Sequence, residues 1–391
     1  MKLPFSMEIP KYGIRFEVDR LRRHGDELIG ELTVYCHLPG AQTVNGTDGV
    51  LLIGDFNFSS VRARQDRAKL LATRARTNEE IDWYGLVEEF SERVLQEERE
   101  GEPAVDLRSL QRPQRGDEIR VGDLACPRRH PTILFGDGGT AKSYLALYAA
   151  GMLAKRGLSV AFFDWELCGE DHRDRLELIF GDDMPQVRYV ICERPLTGDV
   201  SRLQRIVREY KTDFAIFDSV AVACDGPPEA AEVVGRYFRA VRQIGCGSLH
   251  IAHISKSSET SDQKPFGSTF WHNLARCTWN VQAMEPEKNA LRLGFFNRKT
   301  NLGAIRSPVS LIVTFNPHKT EFEVVDISDS PQFAAKLSTR QRLGEVLKRG
   351  SMTVQEIASV LEAKPDTIYK TVQRNDRQFI LLAGGRIGLR A

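Results

Sequence analysis

Apolar and polar residues alternate over the first 55 positions, as in half-buried strands. Ile14 to Val18 alternate apolar and charged, and Glu31 to Tyr35 do so for most of their length. Pro39-Gly40 and Asn45-Gly46 mark turns. The period then changes. SSVRARQDRAKLLATRAR, residues 59–76, is a helical pattern behind a serine cap. Residues 78–100 predict a second helix, with Ile81, Tyr84, Val87, Phe90 and Val94 on one face and acids on the other. Residues 101–130 are polar and carry Pro103, Pro113 and Pro127. They read as a linker, drawn at 111–130 in the domain division, leading out of a strand-rich plus helical N-terminal domain over 1–110.

From 131 to 326 short apolar runs alternate with helical segments. After a first run at Thr132–Phe135 the strand candidates are 159–164, 186–192, 214–218 and 248–253, then 277–281, 291–297 and 310–316. The helix-separated runs predict an α/β core with a doubly wound, mostly parallel sheet, and the last three predict an antiparallel edge. Residues 338–391 read as three helices followed by a glycine-turned hairpin, the order of a winged helix-turn-helix, with Thr353 and Glu356 as a capping box.

Charge changes this picture only locally. The chain carries a net charge of +1, so no overall basicity announces nucleic acid. The helix at 59–76 sets Arg62, Arg64, Arg67, Lys69, Arg74 and Arg76 against the single acid Asp66. That suits a phosphate-contacting surface or a solvated face, and its charges could also pair with the acidic helix beside it. Residues 338–391 hold ten Lys and Arg against five Asp and Glu. Their third helix presents Lys364, Thr367, Lys370, Thr371 and Arg374, so this unit could contact DNA or serve as a protein-binding module. Seven scattered cysteines without a CxxC pair argue for reduced thiols in a cytoplasmic protein and against a zinc site. No run of about 18 apolar residues is present, so no membrane partner is expected.

The candidate chemistry centres on PTILFGDGGTAKSY, residues 131–144. Strand, glycine-rich turn, Lys-Ser and helix in that order make a P-loop. Gly136, Asp137, Gly138, Gly139, Thr140, Ala141, Lys142, Ser143 and Tyr144 are the expected nucleotide-binding residues. Backbone N–H groups there cradle phosphate oxygens, Lys142 reaches the β- and γ-phosphates, and Ser143 ligates Mg²⁺. Ala141 stands where glycine is usual, which is tolerable if it adopts a right-handed conformation. Three further strand ends complete the expectation. VAFFDWE delivers Glu166 as a base for the attacking water. DFAIFDS delivers Asp218 as the Mg²⁺-holding carboxylate, with Ser219 orienting it. SLHIAHISK delivers His253 as a γ-phosphate sensor, and His250 reads as structural. Lys256 and Lys264, in the polar loop that follows, could face single-stranded DNA in a ring.

GDGGTAKS, FDWE, FAIFDS, HISK and FGS, in this order, resemble the RecA-type ATPase core, and within it the RepA/DnaB-like hexameric replicative helicases of plasmids and mobile elements. The resemblance covers about 131–315. It implies a RecA-like fold, ATP and Mg²⁺ as cofactors, a hexameric homo-oligomer, and translocation on or unwinding of DNA. It assigns Lys142 and Ser143 to phosphate and Mg²⁺, Glu166 to base catalysis, Asp218 to the metal and His253 to sensing. FFNRKTNLG resembles the segment that presents basic residues to a neighbour's ATP. Lys299 matches that pattern and the expected arginine does not, so Arg298, Lys299, Arg306 or Arg276 could supply the charge. A non-translocating ATP switch (a helicase loader, recombinase-like filament or defence scaffold) and a transcription regulator remain open beside the helicase reading.

Overall fold

In the computed structural model the chain divides into two units, Met1–Pro113 and Gln114–Ala391. The structure describes residues 4–44, 47–77, 80–101, 103–111, 118–121, 124–253, 269–301, 305–376 and 378–390.

The first unit is an antiparallel meander of β1 (Phe5–Ile9), β2 (Ile14–His24), β3 (Glu27–Cys36) and β4 (Val50–Asn57), in that order. The alternation in β2 buries Ile14, Phe16 and Val18 and turns Arg15 and Glu17 outward. The buried face packs on α1 (Val61–Ala75) and α2 (Trp83–Glu100) through Leu71, Val87, Phe90 and Val94. Ser60 caps α1 by accepting from the Ala63 amide at 3.2 Å. The second helix begins five residues later than its apolar spacing predicts, because Asp82 accepts from the Gly85 amide and fixes the start there. Most of the α1 arginines turn inward. Arg64 donates to Glu88 at 2.8 Å and to the Phe58 carbonyl at 2.7 Å. Arg67 donates to the Asp55 carbonyl and lies over the Phe56 ring, and Arg74 donates to the Leu51 carbonyl. Three of its six basic residues are thus engaged within the unit, Arg67 and Arg74 on β4 and Arg64 on α2 and the Phe58 carbonyl, while Arg62 and Lys69 are exposed.

The second unit opens with a hairpin, β5 (Glu118–Val121) and β6 (Leu124–Pro127), inside the stretch expected as a linker. Ile119 and Cys126 join the core, and the Ala125 carbonyl accepts from the Trp279 indole N–H at 3.1 Å. Then follow β7 (Pro131–Gly136), α3 (Lys142–Lys155), β8 (Val160–Asp164), α4 (Gly169–Phe180), β9 (Arg188–Ile191), α5 (Leu196–Glu209), β10 (Phe214–Asp218), α6 (Val220–Ala223), α7 (Ala231–Ile244), β11 (Gly247–His253), α8 (Thr269–Leu274), β12 (Cys277–Ala283), β13 (Ala290–Thr300), β14 (Val309–Asn316) and β15 (Lys319–Val325). They build one sheet in the order β9-β8-β10-β11-β7-β12-β13-β14-β15. Strands from β9 to β12 run parallel, and β13 to β15 return antiparallel. The 277–281 run, expected in the antiparallel edge, is instead parallel to β7 and antiparallel only to β13. Both faces of the sheet are covered, with Leu134, Phe162 and Trp279 in one core and Ile133, Phe135, Phe217 and Trp271 in the other. This double burial explains why the runs are continuous rather than alternating.

A strap with α9 (Pro331–Ala334) follows, pinned by Ile327, Phe333 and Leu337 against Phe296. The chain ends in α10 (Thr339–Leu347), β16 (Met352–Thr353), α11 (Val354–Leu361), α12 (Pro365–Arg374), β17 (Phe379–Leu381) and β18 (Arg386–Leu389). Leu343, Ile357, Ile368, Val372, Phe379 and Ile387 form its core. Thr353 and Glu356 close the capping box of α11. Among the described residues no helix is long and apolar enough to cross a membrane.

Candidate nucleotide site

The site lies where β7 gives way to α3. Gly136 must lack a side chain, since a Cβ there would meet the Val281 carbonyl at 2.4 Å. Gly139 turns the loop with φ +74°. Ala141 has φ 51° and ψ 29°, a left-handed conformation. The expected right-handed geometry is therefore corrected: the loop must reverse just before α3, and alanine accepts the strain that glycine would avoid. The buried Lys142 ammonium folds back into the loop. It donates to the carbonyls of Gly136 at 3.2 Å and Asp137 at 2.6 Å and to the Thr140 hydroxyl at 3.2 Å. Burial pulls its pKa down to about 8 against the attraction of Asp218, Asp137 and Glu166. The Asp137 carboxylate accepts from the Gly138 amide and shapes the turn. The Tyr144 ring packs on Phe315 and under the Arg175 guanidinium, leaving its backbone as the part that belongs to the helix start.

Three strand ends bring acids and a histidine to this loop. Asp218 closes β10 and is almost fully buried. Burial raises its carboxyl to about 6, a hydrogen bond with Ser143 opposes the rise, and Glu166 and Asp164 add to it. Its Oδ1 has no partner. Glu166 follows β8 and accepts from the Ser219 hydroxyl, so Ser219 bonds Glu166, whereas it was expected to orient Asp218. His253, half-buried at the end of β11, stands opposite Gly136 in the register. Burial and then the charge of Lys142 lower its pKa, while Glu166 and Asp137 pull the other way. The imidazole is thus neutral near pH 7. His250 is bonded to Tyr237 and Ser248, both at 2.8 Å, deep in the core.

Sequence reasoning missed Asp164. It is fully buried and accepts from the amides of Glu166 and Leu167, both at 3.1 Å, and from the Tyr189 hydroxyl at 3.0 Å. His172 Nε2 approaches it at 3.1 Å. Burial would raise its pKa, but His172 and these donors more than reverse that. Asp164 therefore locks the turn that presents Glu166. The signal was available as the first acid of FFDWE, two residues before Glu166.

The basic candidates fall elsewhere. Val281 of β12 pairs with Gly136, and Cys277 pairs with both Thr132 and Thr300. Lys299 and Thr300 therefore lie at the end of the sheet away from the P-loop. Lys299 donates to the carbonyls of His272, Asn273 and Ala275 at 2.7–2.9 Å, closing the C-terminal end of α8. Arg298 lies over Phe296, and Arg306 is paired with Glu118. Arg276 lines a cleft at that same end with Arg129 and Arg242. None of these reaches the P-loop of its own chain. Lys370 and Arg374 are exposed on α12, and Lys364 is exposed at its N-cap. Lys256 and Lys264 lie outside the described residues.

A divalent ion fits beside Ser143 and Asp218. The Asp218 oxygen without a partner and the adjoining hydroxyl are hard oxygen donors, as Mg²⁺ requires. Among the described residues no group of three or more His, Cys, Asp or Glu gathers to hold a metal by itself.

Residues 96–259 match the sequence family described as an AAA domain, less than half of the chain. The match and the geometry agree on a P-loop ATPase domain. No curated protein matches the chain. Similar solved structures include the ATPase Domain of G40P, 12% identical with a TM-score of 0.42, the overlap covering 51% of this chain and 86% of that one. Another is the flagellar accessory protein FlaH from Methanocaldococcus jannaschii, 12% identical with a TM-score of 0.38, covering 54% and 98%.

Proposed function

We propose that the chain is a RecA/DnaB-like motor that hydrolyses ATP with Mg²⁺ and couples this to movement on single-stranded DNA, as a ring-forming homohexamer. The observation that carries the reading is the convergence of Lys142, Ser143, Glu166, Asp218 and His253 on one loop, from the ends of four neighbouring strands and the start of α3. The order β8-β10-β11-β7 places one strand between the P-loop strand and the one ending in Asp218. A triphosphate lying across the loop then meets Lys142, with Glu166 beside its terminal phosphate. Mg²⁺, when bound at Ser143 and Asp218, supplies charge neutralisation to the phosphates.

Each residue has a role derivable from its surroundings. Lys142 leaves the loop carbonyls for phosphate oxygens, exchanging neutral acceptors for charged ones. Glu166, steadied by Ser219 and by the Asp164 turn, orients the attacking water and accepts its proton. Neutral His253 donates to the γ-phosphate and loses that partner after hydrolysis. The charge opposing the transition state from outside comes from a neighbouring subunit through Lys299 or Arg276, which sit at the opposite end of the sheet, or through Arg298, which lies over Phe296. For Lys299 this requires release from the α8 carbonyls. At the C-terminus, the exposed Lys370 and Arg374 on α12 and Lys364 at its N-cap support a winged helix that contacts duplex DNA.

The test is ATP turnover and forked-duplex unwinding. Lys142→Ala is expected to cut turnover about 10³-fold, since a charge-stabilising group is removed. Glu166→Gln is expected to retain ATP binding and lose hydrolysis about 10³-fold. A Gln variant that hydrolyses ATP normally removes Glu166 from the mechanism. ATP turnover without strand separation favours the non-translocating switch.

A further inference from the structure

Every group expected to meet the terminal phosphate lies on one side of the P-loop strand. His253, Asp218 and Glu166 belong to β11, β10 and β8, which all stand to one side of β7 in the sheet. A triphosphate pointing its γ-phosphate that way must trail its nucleoside towards β12, the neighbour of β7 on the other side. A cleft of about 490 Å³ opens there. Asp137 to Thr140 form one wall, and Gln282, Met284, Pro286 and Lys336 contribute to the other.

This second wall is built rather than accidental. Lys336 comes from the strap after the sheet, whose Ile327, Phe333 and Leu337 are buried with Phe296. The Ser330 hydroxyl of the strap lies 3.1 Å from the Met284 sulfur. A bonded line runs from the P-loop strand to the strap. Asn280 Nδ2 donates to the Phe135 carbonyl at 3.3 Å, Gln282 Nε2 donates to Asn280 Oδ1 at 2.6 Å, and Lys336 Nζ donates to Gln282 Oε1 at 2.5 Å.

We propose that this cleft is the nucleoside subsite of the phosphate site. Met284 and Pro286 offer apolar surface to the base, and Lys336, held by Gln282, donates to ring nitrogen or ribose oxygen acceptors. The inference rests on the reading of 136–143 as a triphosphate site. It also has a reach beyond affinity. Lys336 stands two residues before Ser338, the cap of α10, so an occupant of the cleft touches the strap that leads into the C-terminal helices.

The experiment compares ATP with inorganic tripolyphosphate by titration calorimetry on the full chain, in the wild type, Lys336→Ala, Lys336→Arg and Gln282→Ala. The wild type is expected to prefer ATP. Lys336→Ala should weaken ATP about tenfold, one charge-assisted hydrogen bond, and leave tripolyphosphate within about twofold. Lys336→Arg should recover most of the loss, and Gln282→Ala should fall between. Equal weakening of both ligands makes Lys336 a phosphate clamp and overturns the proposal, as does unchanged ATP binding in Lys336→Ala. A wild type that binds neither ligand refutes the triphosphate site itself, which is a separate failure.

Discussion

The N-terminal unit and the phosphate end of the sheet treat charge in opposite ways. In the first, Arg64, Arg67 and Arg74 are fastened to carbonyls and a glutamate, and Arg22 and Arg23 reach Asp55 and Glu98. In the second, Asp218 is buried with one oxygen lacking a partner, Lys142 is buried among loop carbonyls, and Ala141 holds a left-handed backbone. Satisfied charge fixes a fold; strained or partnerless groups gathered at strand ends mark where a ligand is to complete them. The contrast can be attacked from either side.

The largest effect is expected at Asp218. Its folded pKa is raised from 3.8 to about 6, so the folded state binds a proton more tightly than the unfolded chain. Stability is therefore highest below pH 3.8, declines as pH rises to about 6, and stays level above. Asp218→Asn removes a cost of up to about 3 kcal/mol at pH 7. Its melting temperature should rise, and the slope between pH 4 and 6 should flatten. The same variant should lose Mg²⁺-dependent nucleotide binding. An Asn variant that melts lower than the wild type shows that Asp218 is already satisfied, and the contrast fails at its strongest point.

Next comes a paired test of two basic helices. Arg64→Ala leaves Glu88 and the Phe58 carbonyl without a donor and should destabilise the N-terminal unit by about 2 kcal/mol, with DNA affinity unchanged. Lys370→Ala, on the exposed face of α12, should shift stability by less than about 0.5 kcal/mol. If α12 contacts phosphates, that variant lowers the slope of log affinity against log salt by about 1. Denaturant melts and salt titrations read the two arms separately. The reverse pattern would exchange the roles of the helices.

The two helices also show what the sequence could and could not convey. Both appear in it as basic runs, and no periodicity distinguishes an arginine bent back to a carbonyl from one facing solvent. That depends on Asp55, Phe58 and Leu51, contributed by β4 and the chain just after it. The parallel strands were legible because burial on both faces makes them continuous and apolar. The hairpin at 118–127 was not, since its short apolar pairs are too brief to show a period, and the partners that tie it to the core, Trp279 among them, come from far along the chain. Glu166 and Asp218 were legible as acids ending apolar runs. Asp164 was hidden by its neighbour, because its role is to accept amides from a turn that only the folded chain makes. Lys336 lies far from every motif, and only the strap brings it to the P-loop.

The smallest expected effect concerns Ala141 and decides whether the strain at the loop is real. A left-handed alanine costs about 1 kcal/mol relative to glycine. Glycine also frees the unfolded chain, which returns about half of that. Ala141→Gly should therefore stabilise the nucleotide-free protein by only about 0.5 kcal/mol. A single small gain of that kind proves little, so Ala141→Val is the informative partner. A β-branched side chain at φ 51° is strongly disfavoured, whereas in a right-handed helix start valine costs only a few tenths of a kcal/mol against alanine. Valine should then lose clearly more than glycine gains, in chemical denaturation and in nucleotide affinity alike. If valine is tolerated and glycine is neutral, residue 141 is right-handed in solution, and the loop is relaxed where the phosphate end is argued to be strained.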